Sequence, residues 1–176
     1  MRKVIAIVGK IGAGKDEAAT YLSEKLGWPV FKISEPLKEE LKRQGEQVNR
    51  ANLAKLGTKW ATEKGDDHLA RLALQKHKGN IIISGPRQLG QIEYLRKNSD
   101  LTIVAITAAD KTRFARVTTR NSVKEAGNLN DFIKEELAND ASDGANQVIR
   151  CIDQAHCRVD NSSTLEKMYQ KLDKVI

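Results

Sequence analysis

Cysteine, aromatic residues and long apolar runs are all scarce in this chain, and each shortage excludes a class of protein. The two cysteines, Cys151 and Cys157, give no disulfide framework. Their spacing and the lack of further ligands nearby also argue against a zinc site. Aromatic residues make up only 5% of the sequence, so a base-stacking platform for single-stranded nucleic acid is not expected. No apolar run approaches the roughly 20 residues of a membrane span. The first strand pattern starts at once and leaves no room for a signal peptide, so we expect a cytoplasmic protein without a membrane partner.

The composition is that of one well-packed globular domain. The chain has 176 residues, of which 40% are hydrophobic and 30% charged, and we assign residues 1–176 to a single domain. Its net charge of +7 is suited to an anionic ligand. Small phosphorylated molecules fit this charge better than nucleic acid does, given the loop described next. A monomer and a homodimer are both compatible with the sequence.

A glycine-rich loop directly follows the first apolar run. The run Val4-Ile5-Ala6-Ile7-Val8 is followed by Gly9-Lys10-Ile11-Gly12-Ala13-Gly14-Lys15, which has the spacing G-x4-G-K. Glycines let successive backbone N–H groups turn towards an anion, and the following helix adds the positive end of its dipole. Lys15 can reach the β- and γ-phosphates of a nucleotide. The pattern therefore predicts a triphosphate-binding loop over residues 9–15.

Asp16 stands where this motif usually has serine or threonine to hold Mg²⁺. Its carboxylate can take the place of that hydroxyl near the metal, because Mg²⁺ prefers hard oxygen ligands. The alternative is that Asp16 only stabilises a helix N-terminus, as acids in a first turn generally do.

Alternating strand and helix patterns predict a parallel sheet built from right-handed βαβ units. Helical spacing is clear in Ala18, Leu22 and Leu26, and a capping box at Ser163 and Glu166 predicts the start of the last helix. The predicted strands lie at residues 3–8, 29–33, 80–84, 101–107 and 157–160.

Chemically useful side chains follow the predicted strands. Ligands bind at the carboxyl edge of an open parallel sheet, so we expect these strand ends to meet there. Arg87, after a Gly-Pro turn, is placed to grip an acceptor phosphate, although a surface or capping role is the alternative. Glu35 and Lys38 open the helix after the second strand, and either can be ordinary helix-terminus chemistry. Asn161 ends the last strand.

Three arginines, Arg113, Arg116 and Arg120, have the spacing i, i+3, i+7 and so share one helix face. Like charges at this spacing repel unless an anion lies opposite. One interpretation pairs them with Glu135, Glu136 or solvent. The other has Arg116 and Arg120 close over the transferred phosphoryl group, on a helical lid at about residues 111–130.

These motifs resemble those of the P-loop small-molecule kinases of the nucleoside monophosphate kinase superfamily, over nearly the whole chain. The G-K-D ending of the loop is similar to that of deoxynucleoside monophosphate kinases and of the P-loop type of phosphomevalonate kinase. Ser84-Gly85-Pro86-Arg87 with Gln91 resembles the arginine element of adenylate kinases. Val159-Asp160-Asn161-Ser162 resembles the close of dephospho-coenzyme A kinases, where backbone near the asparagine meets the adenine. Further likeness on the acceptor side is carried by residues 33–38, 56–58 and 65–67.

The resemblance implies a three-layer α/β fold of the P-loop NTPase type, with a five-stranded parallel sheet of order 2-3-1-4-5 and a helical lid. It also implies ATP and Mg²⁺, and γ-phosphoryl transfer to a small phosphorylated acceptor. The site residues that follow fall into three sets. Catalysis is assigned to Lys15, Arg87, Arg116 and Arg120, with Asp16 at the metal. Nucleotide binding is assigned to Gly9, Lys10, Ile11, Gly12, Ala13, Gly14, Lys15, Asp16, Arg116 and Asn161. Acceptor binding is assigned to Glu35, Lys38, Arg87 and Gln91.

Two positions depart from the family pattern. Ser84 replaces an acid before Gly85, and Ala61 replaces a frequent arginine on the acceptor side. From the resemblance as a whole we predict a nucleoside or deoxynucleoside monophosphate kinase, with dephospho-coenzyme A or phosphomevalonate as alternative acceptors. A nucleotide-binding regulator without catalysis is the competing interpretation from another class.

Overall fold

The computed structural model describes residues 1–119, 127–141 and 146–176. The helices and strands follow one another along the chain as β1 Lys3–Val8, α1 Lys15–Leu26, β2 Val30–Lys32, α2 Glu35–Arg43, α3 Arg50–Lys64, α4 His68–Lys76, β3 Ile81–Ser84, α5 Leu89–Asn98, β4 Asp100–Thr107, α6 Asp110–Thr119, α7 Leu129–Ala141, α8 Val148–Asp153, β5 Cys157–Asp160 and α9 Leu165–Leu172. In these described stretches, every helix is too short or too polar to cross a membrane.

The five strands form one parallel sheet of order β2-β3-β1-β4-β5, which confirms the predicted topology. β1 lies at its centre. It pairs with β3 from Val4 opposite Ile81 to Ile7 opposite Ser84, and with β4 on its other side. All the strands therefore point the same way, and the loop after β1 emerges between the ends of β3 and β4.

Side chains from the sheet pack alternately into two cores, which makes the fold three-layered. Val4 and Ala6 face the helices α2 to α5 and α8, whereas Ile5 and Ile7 face α1 and α9. This alternation is the period-2 geometry of a strand buried on both faces. Truncating one such fully buried isoleucine to alanine typically costs about 2–5 kcal/mol.

The start of the last helix differs from the prediction by one residue. Thr164, not Ser163, is the N-cap of α9, and its hydroxyl accepts a hydrogen bond from the Lys167 backbone N–H at 3.4 Å. Both residues can cap, and the extended backbone of Thr164 decides between them. The capping box at Ser163 and Glu166 was therefore wrong in register.

Only part of the predicted lid can be described. Residues 111–119 lie in α6 and residues 129–130 begin α7. Arg120, predicted to act at the phosphoryl group, lies outside the described residues.

Candidate active site

The loop at residues 9–15 joins the central strand β1 to the helix α1. Gly14 is the N-cap of α1 with φ +100°, and no side chain caps the helix there. A Cβ on Gly14 would collide with the Asn161 amide, so both the backbone conformation and the space require glycine. The first-turn N–H groups of a helix have no intrahelical acceptor, and an uncapped N-terminus at the edge of a cleft is suited to an anion.

Lys15 lies at the floor of this cleft. Its ammonium donates to the carbonyl of Lys10 at 3.0 Å. Desolvation, followed by the charge of Arg87, lowers the pKa of Lys15 to about 8. The side chain is reachable from the cleft, yet protein atoms crowd it on most sides. A bound polyanion would add to the counter-charge of the Asp16 and Glu136 carboxylates, which already raise this pKa.

Asp16 and Ser84 meet across the loop and the end of β3. The Ser84 hydroxyl donates to Asp16 Oδ1 at 3.2 Å, and Lys32 Nζ lies 3.8 Å from Asp16 Oδ2. Within the described ranges, no group of three or more histidine, cysteine or acidic residues could hold a metal. One carboxylate with one hydroxyl is nevertheless a donor set that fits Mg²⁺, which keeps several waters and needs few protein ligands.

The turn after β3 carries Arg87. Its backbone N–H donates to Gln91 Oε1 at 2.9 Å, and its carbonyl accepts from the Gln147 backbone N–H at 2.6 Å. The guanidinium reaches the cleft, where crowding by protein atoms and the positive charge of Arg50 lower its pKa. Two cations facing the same cleft favour an anion between them.

Arg116 and Asn161 join α6 to the phosphate loop. Arg116 donates to the carbonyl of Asn161 at 2.8 Å and more weakly to that of Gly12 at 3.4 Å. Asn161 is 1% exposed, and its amide nitrogen donates to the carbonyl of Ala13 at 2.9 Å. Its amide oxygen is buried without a hydrogen-bond partner in the described part of the chain.

Arg113 has a different role from Arg116, although one helical turn separates them. It is 1% exposed and forms two hydrogen bonds of 2.8 Å to the Glu136 carboxylate. It also donates to Asp110 at 2.6 Å and to the carbonyl of Ile11 at 2.9 Å. For Arg113 the ion-pair interpretation is therefore correct, with Glu136 as the partner. Lys10 Nζ lies 3.3 Å from the same Glu136 carboxylate.

Two adjoining clefts lie above these groups. The first, of about 410 Å³, is lined by the phosphate loop, Ser84, Arg87 and Arg116. The second, of about 630 Å³, lies between α2, α3 and the Arg87 turn, and shares Lys38, Arg50 and Arg87 with the first. The first cleft has the size and charge for polyphosphate, and the second has room for another small anion.

The residues predicted to bind the acceptor differ in how far their side chains reach the clefts. Lys38 lines both clefts and pairs with Glu35 at 2.8 Å across one turn of α2. Gln91 borders the second cleft, but it is 1% exposed and its amide contacts protein groups on both sides.

Sequence reasoning missed Arg50, Lys32 and Gln147. Arg50 begins α3, Lys32 ends β2 opposite Ser84, and Gln147 precedes α8. A strand-end rule could have found Lys32. Nothing local in the sequence marks Arg50 or Gln147, because their roles depend on contacts with distant segments.

Comparisons with known structures agree with this fold. The chain superposes on shikimate kinase from Acinetobacter baumannii in complex with shikimate, with a TM-score of 0.63, 14% identity, and coverage of 99% of this chain and 93% of that chain. A gluconokinase from Sinorhizobium meliloti superposes with a TM-score of 0.55 at 12% identity, over 99% of this chain and 95% of that chain. At these identities the likeness establishes the P-loop kinase fold alone.

Sequence comparison gives the family. The AAA domain profile matches residues 5–138. A UPF0200 protein of Staphylothermus marinus is 26% identical over 170 residues, which cover 95% of this chain and 87% of that protein. A UPF0200 protein of Methanococcus maripaludis is 31% identical over 140 residues, covering 76% of each chain. From the extent of these matches, the chain belongs to the AAA domain family and to the UPF0200 proteins.

Proposed function

We propose that this protein is an ATP- and Mg²⁺-dependent kinase that transfers the γ-phosphoryl group to a small phosphorylated acceptor. A nucleoside or deoxynucleoside monophosphate is the leading acceptor. The observation that carries the proposal is the meeting of an uncapped helix N-terminus with Lys15, Arg87 and Arg116 around one cleft, beside a second cationic cleft. Phosphoryl transfer requires little beyond positioning and stabilisation of charge, and this arrangement offers both.

Each side chain has a distinct task in this proposal. The loop N–H groups and Lys15 hold the triphosphate, and Arg116, anchored on the loop and on the Asn161 carbonyl, stabilises the charge of the transferred group. Arg87, with Lys38 and Arg50 nearby, holds the acceptor phosphate. Asp16 and Ser84 are the residues that would hold Mg²⁺, which, when bound, neutralises phosphate charge.

Proton uptake tests the nucleotide half of the proposal. Since the pKa of Lys15 is about 8, most of the free protein is neutral at this side chain at pH 8.5. A triphosphate raises that pKa, so binding of Mg·ATP takes up roughly half a proton or more at pH 8.5 and very little at pH 6.5. Calorimetry in two buffers of different ionisation enthalpy measures this uptake, and Lys15→Met should abolish it. Proton uptake that Lys15→Met leaves unchanged, or an unchanged affinity for Mg·ATP in Lys15→Met, would refute the role of Lys15 in nucleotide binding.

A panel of acceptors tests the second half. ADP formation is measured with ribo- and deoxynucleoside monophosphates, dephospho-coenzyme A, phosphomevalonate, shikimate and gluconate. We expect a monophosphate to stimulate turnover at least a hundredfold over ATP hydrolysis, and Lys15→Ala to abolish that stimulation without a large change in melting temperature. Stimulation by another compound would reassign the acceptor.

A nucleotide-binding regulator is the second candidate. It is favoured by Ser84 in place of the family acid and by the ion pair of Lys32 with Asp16, which competes with a metal for the carboxylate. Tight binding of Mg·ATP together with a silent panel would establish it over the kinase.

A further inference from the structure

The backbone of Arg87 is held from two sides by glutamine residues. Its N–H donates to the side-chain oxygen of Gln91 at 2.9 Å, while its carbonyl accepts from the Gln147 N–H at 2.6 Å. Gln147 Oε1 in turn accepts from the Leu89 N–H at 2.9 Å. Three hydrogen bonds thus tie the turn between β3 and α5, and two of them involve Gln147.

Gln91 is committed to the protein interior. Its side chain is 1% exposed, its oxygen accepts from Arg87, and its nitrogen donates to Gln88 Oε1 at 2.9 Å. The buried amide of Gln91 therefore holds the Arg87 turn from the side of the protein interior.

Gln147 is anchored by α7. The Asp140 carboxylate, in the last turn of that helix, accepts from the backbone N–H groups of Val148 at 2.5 Å and Ile149 at 3.1 Å. These two residues directly follow Gln147. The segment that holds Arg87 is consequently fixed to the same helix whose Glu136 holds Arg113.

We propose that Gln147 and Gln91 are positioning residues that fix the Arg87 backbone before the acceptor binds. This inference rests on the proposed function, in which Arg87 holds the acceptor phosphate. Ordering a turn on binding costs conformational entropy, and a turn that is already tied avoids that cost. Neither glutamine has to touch the acceptor to affect its affinity.

Two substitutions of Gln147, which differ in whether an oxygen acceptor is kept in place of Oε1, test this inference. Gln147→Met removes the oxygen that accepts from Leu89 with little change in volume, whereas Gln147→Glu keeps an oxygen acceptor. Inorganic phosphate is the probe. Its binding is detected by the Nε–Hε NMR signal of Arg87 in protein with labelled arginine, and that signal is assigned by its loss in Arg87→Lys. Gln154→Met, at an exposed glutamine at the other end of α8, is the matched control.

We expect Gln147→Met to raise the phosphate Kd at Arg87 about fivefold, the effect of losing one neutral hydrogen bond. Gln154→Met should stay within about twofold of wild type, a margin smaller than one such bond. Gln147→Glu keeps the acceptor but adds a negative charge beside the phosphate, so its excess Kd should shrink at high salt, whereas that of Gln147→Met should persist. The Kd for Mg·ADP should be unchanged in all three variants. With the acceptor that the panel identifies, KM should rise in Gln147→Met by a similar factor and kcat should change less.

The outcomes separate this inference from the proposed function. An Arg87 signal that does not respond to phosphate in the wild type overturns the acceptor site, and the positioning role with it. A wild-type response that Gln147→Met leaves unchanged overturns the positioning role alone. Equal weakening of phosphate and Mg·ADP, or a Gln147→Glu variant that binds phosphate as weakly as Gln147→Met at high salt, would indicate general loosening of the fold and also overturn it.

Discussion

Asp16 and Ser84 offer the two oxygen groups that the proposed Mg²⁺ site requires, but each stands where the other is usual. The common arrangement has a hydroxyl on the loop and a carboxylate on a neighbouring strand. Here the carboxylate lies in the first turn of α1, directly after the loop, and the hydroxyl ends β3; the two are hydrogen-bonded at 3.2 Å. Both oxygen groups are therefore present, but the carboxylate and the hydroxyl have exchanged positions.

This exchange predicts a rescue. Asp16→Ser should raise the Kd for Mn²⁺, used as a paramagnetic substitute for Mg²⁺ in the presence of ADP, about tenfold or more, because it removes the carboxylate. Ser84→Asp alone places a second carboxylate beside Asp16, and the repulsion should lower the melting temperature. The double variant Asp16→Ser, Ser84→Asp should bind Mn²⁺ within a few-fold of wild type. Electron paramagnetic resonance measures the free metal.

Asp153→Ser, at an exposed aspartate paired with Arg158 far from the loop, is the control and should bind Mn²⁺ normally. A double variant as weak as Asp16→Ser alone would mean that position 84 does not reach the metal.

At the scale of the element, α6 uses two arginines one turn apart for different purposes. Arg113 is buried in its pair with Glu136, whose side chain is 11% exposed. Arg113→Met leaves that carboxylate with Lys10, at 3.3 Å, as its one remaining ion-pair partner among the described residues. The substitution should therefore cost about 3 kcal/mol of unfolding free energy, the low end for a broken buried pair, or a fall of roughly 10 °C in melting temperature. Arg116→Met should cost less stability, about 1–2 kcal/mol for its bond to the Asn161 carbonyl. It should lower kcat about a hundredfold or more, with a smaller change in nucleotide Kd.

Thermal unfolding, turnover and calorimetric ATP binding are measured on both variants. If Arg113→Met fails to fold, Arg113→Met combined with Glu136→Leu should recover much of the stability, because no buried charge is then left unpaired. Normal turnover by Arg116→Met would remove this residue from the catalytic machinery.

The elements that could be predicted from the sequence are those marked by patterns of neighbouring residues. β1, the glycine loop and α1 follow from an apolar run, fixed glycine spacing and helical periodicity, each within about 25 residues. The strand order came from the resemblance, and the sheet confirms it. Helical spacing showed that Arg113 and Arg116 share a face of α6, but spacing contains no information about what lies opposite. Glu136 pairs with Arg113 from another helix, and Gln147 reaches Arg87 across 60 positions of the chain.

For the whole molecule, the sheet order interleaves the two halves of the chain. A cut in the exposed turn between Lys78 and Gly79 leaves β1 and β2 in one fragment, and β3, which lies between them, in the other. We expect fragment 1–78 to be unfolded alone, because its two strands have no common edge. Mixing both fragments should restore the folded amide spectrum, as followed by ¹H–¹⁵N NMR and circular dichroism. Cooperative melting of fragment 1–78 by itself would contradict this.

The central position of β1 also decides the order of events during synthesis. Its apolar residues Val4 to Val8 leave the ribosome before their partners in β3 and β4, which end at Ser84 and Thr107. At about 5–20 residues per second, the strand waits several seconds or more before it can pair. An uncharged run rich in β-branched residues is the kind of segment that aggregates when unpaired. The strand that organises the finished sheet is therefore the one that the nascent chain must shield longest.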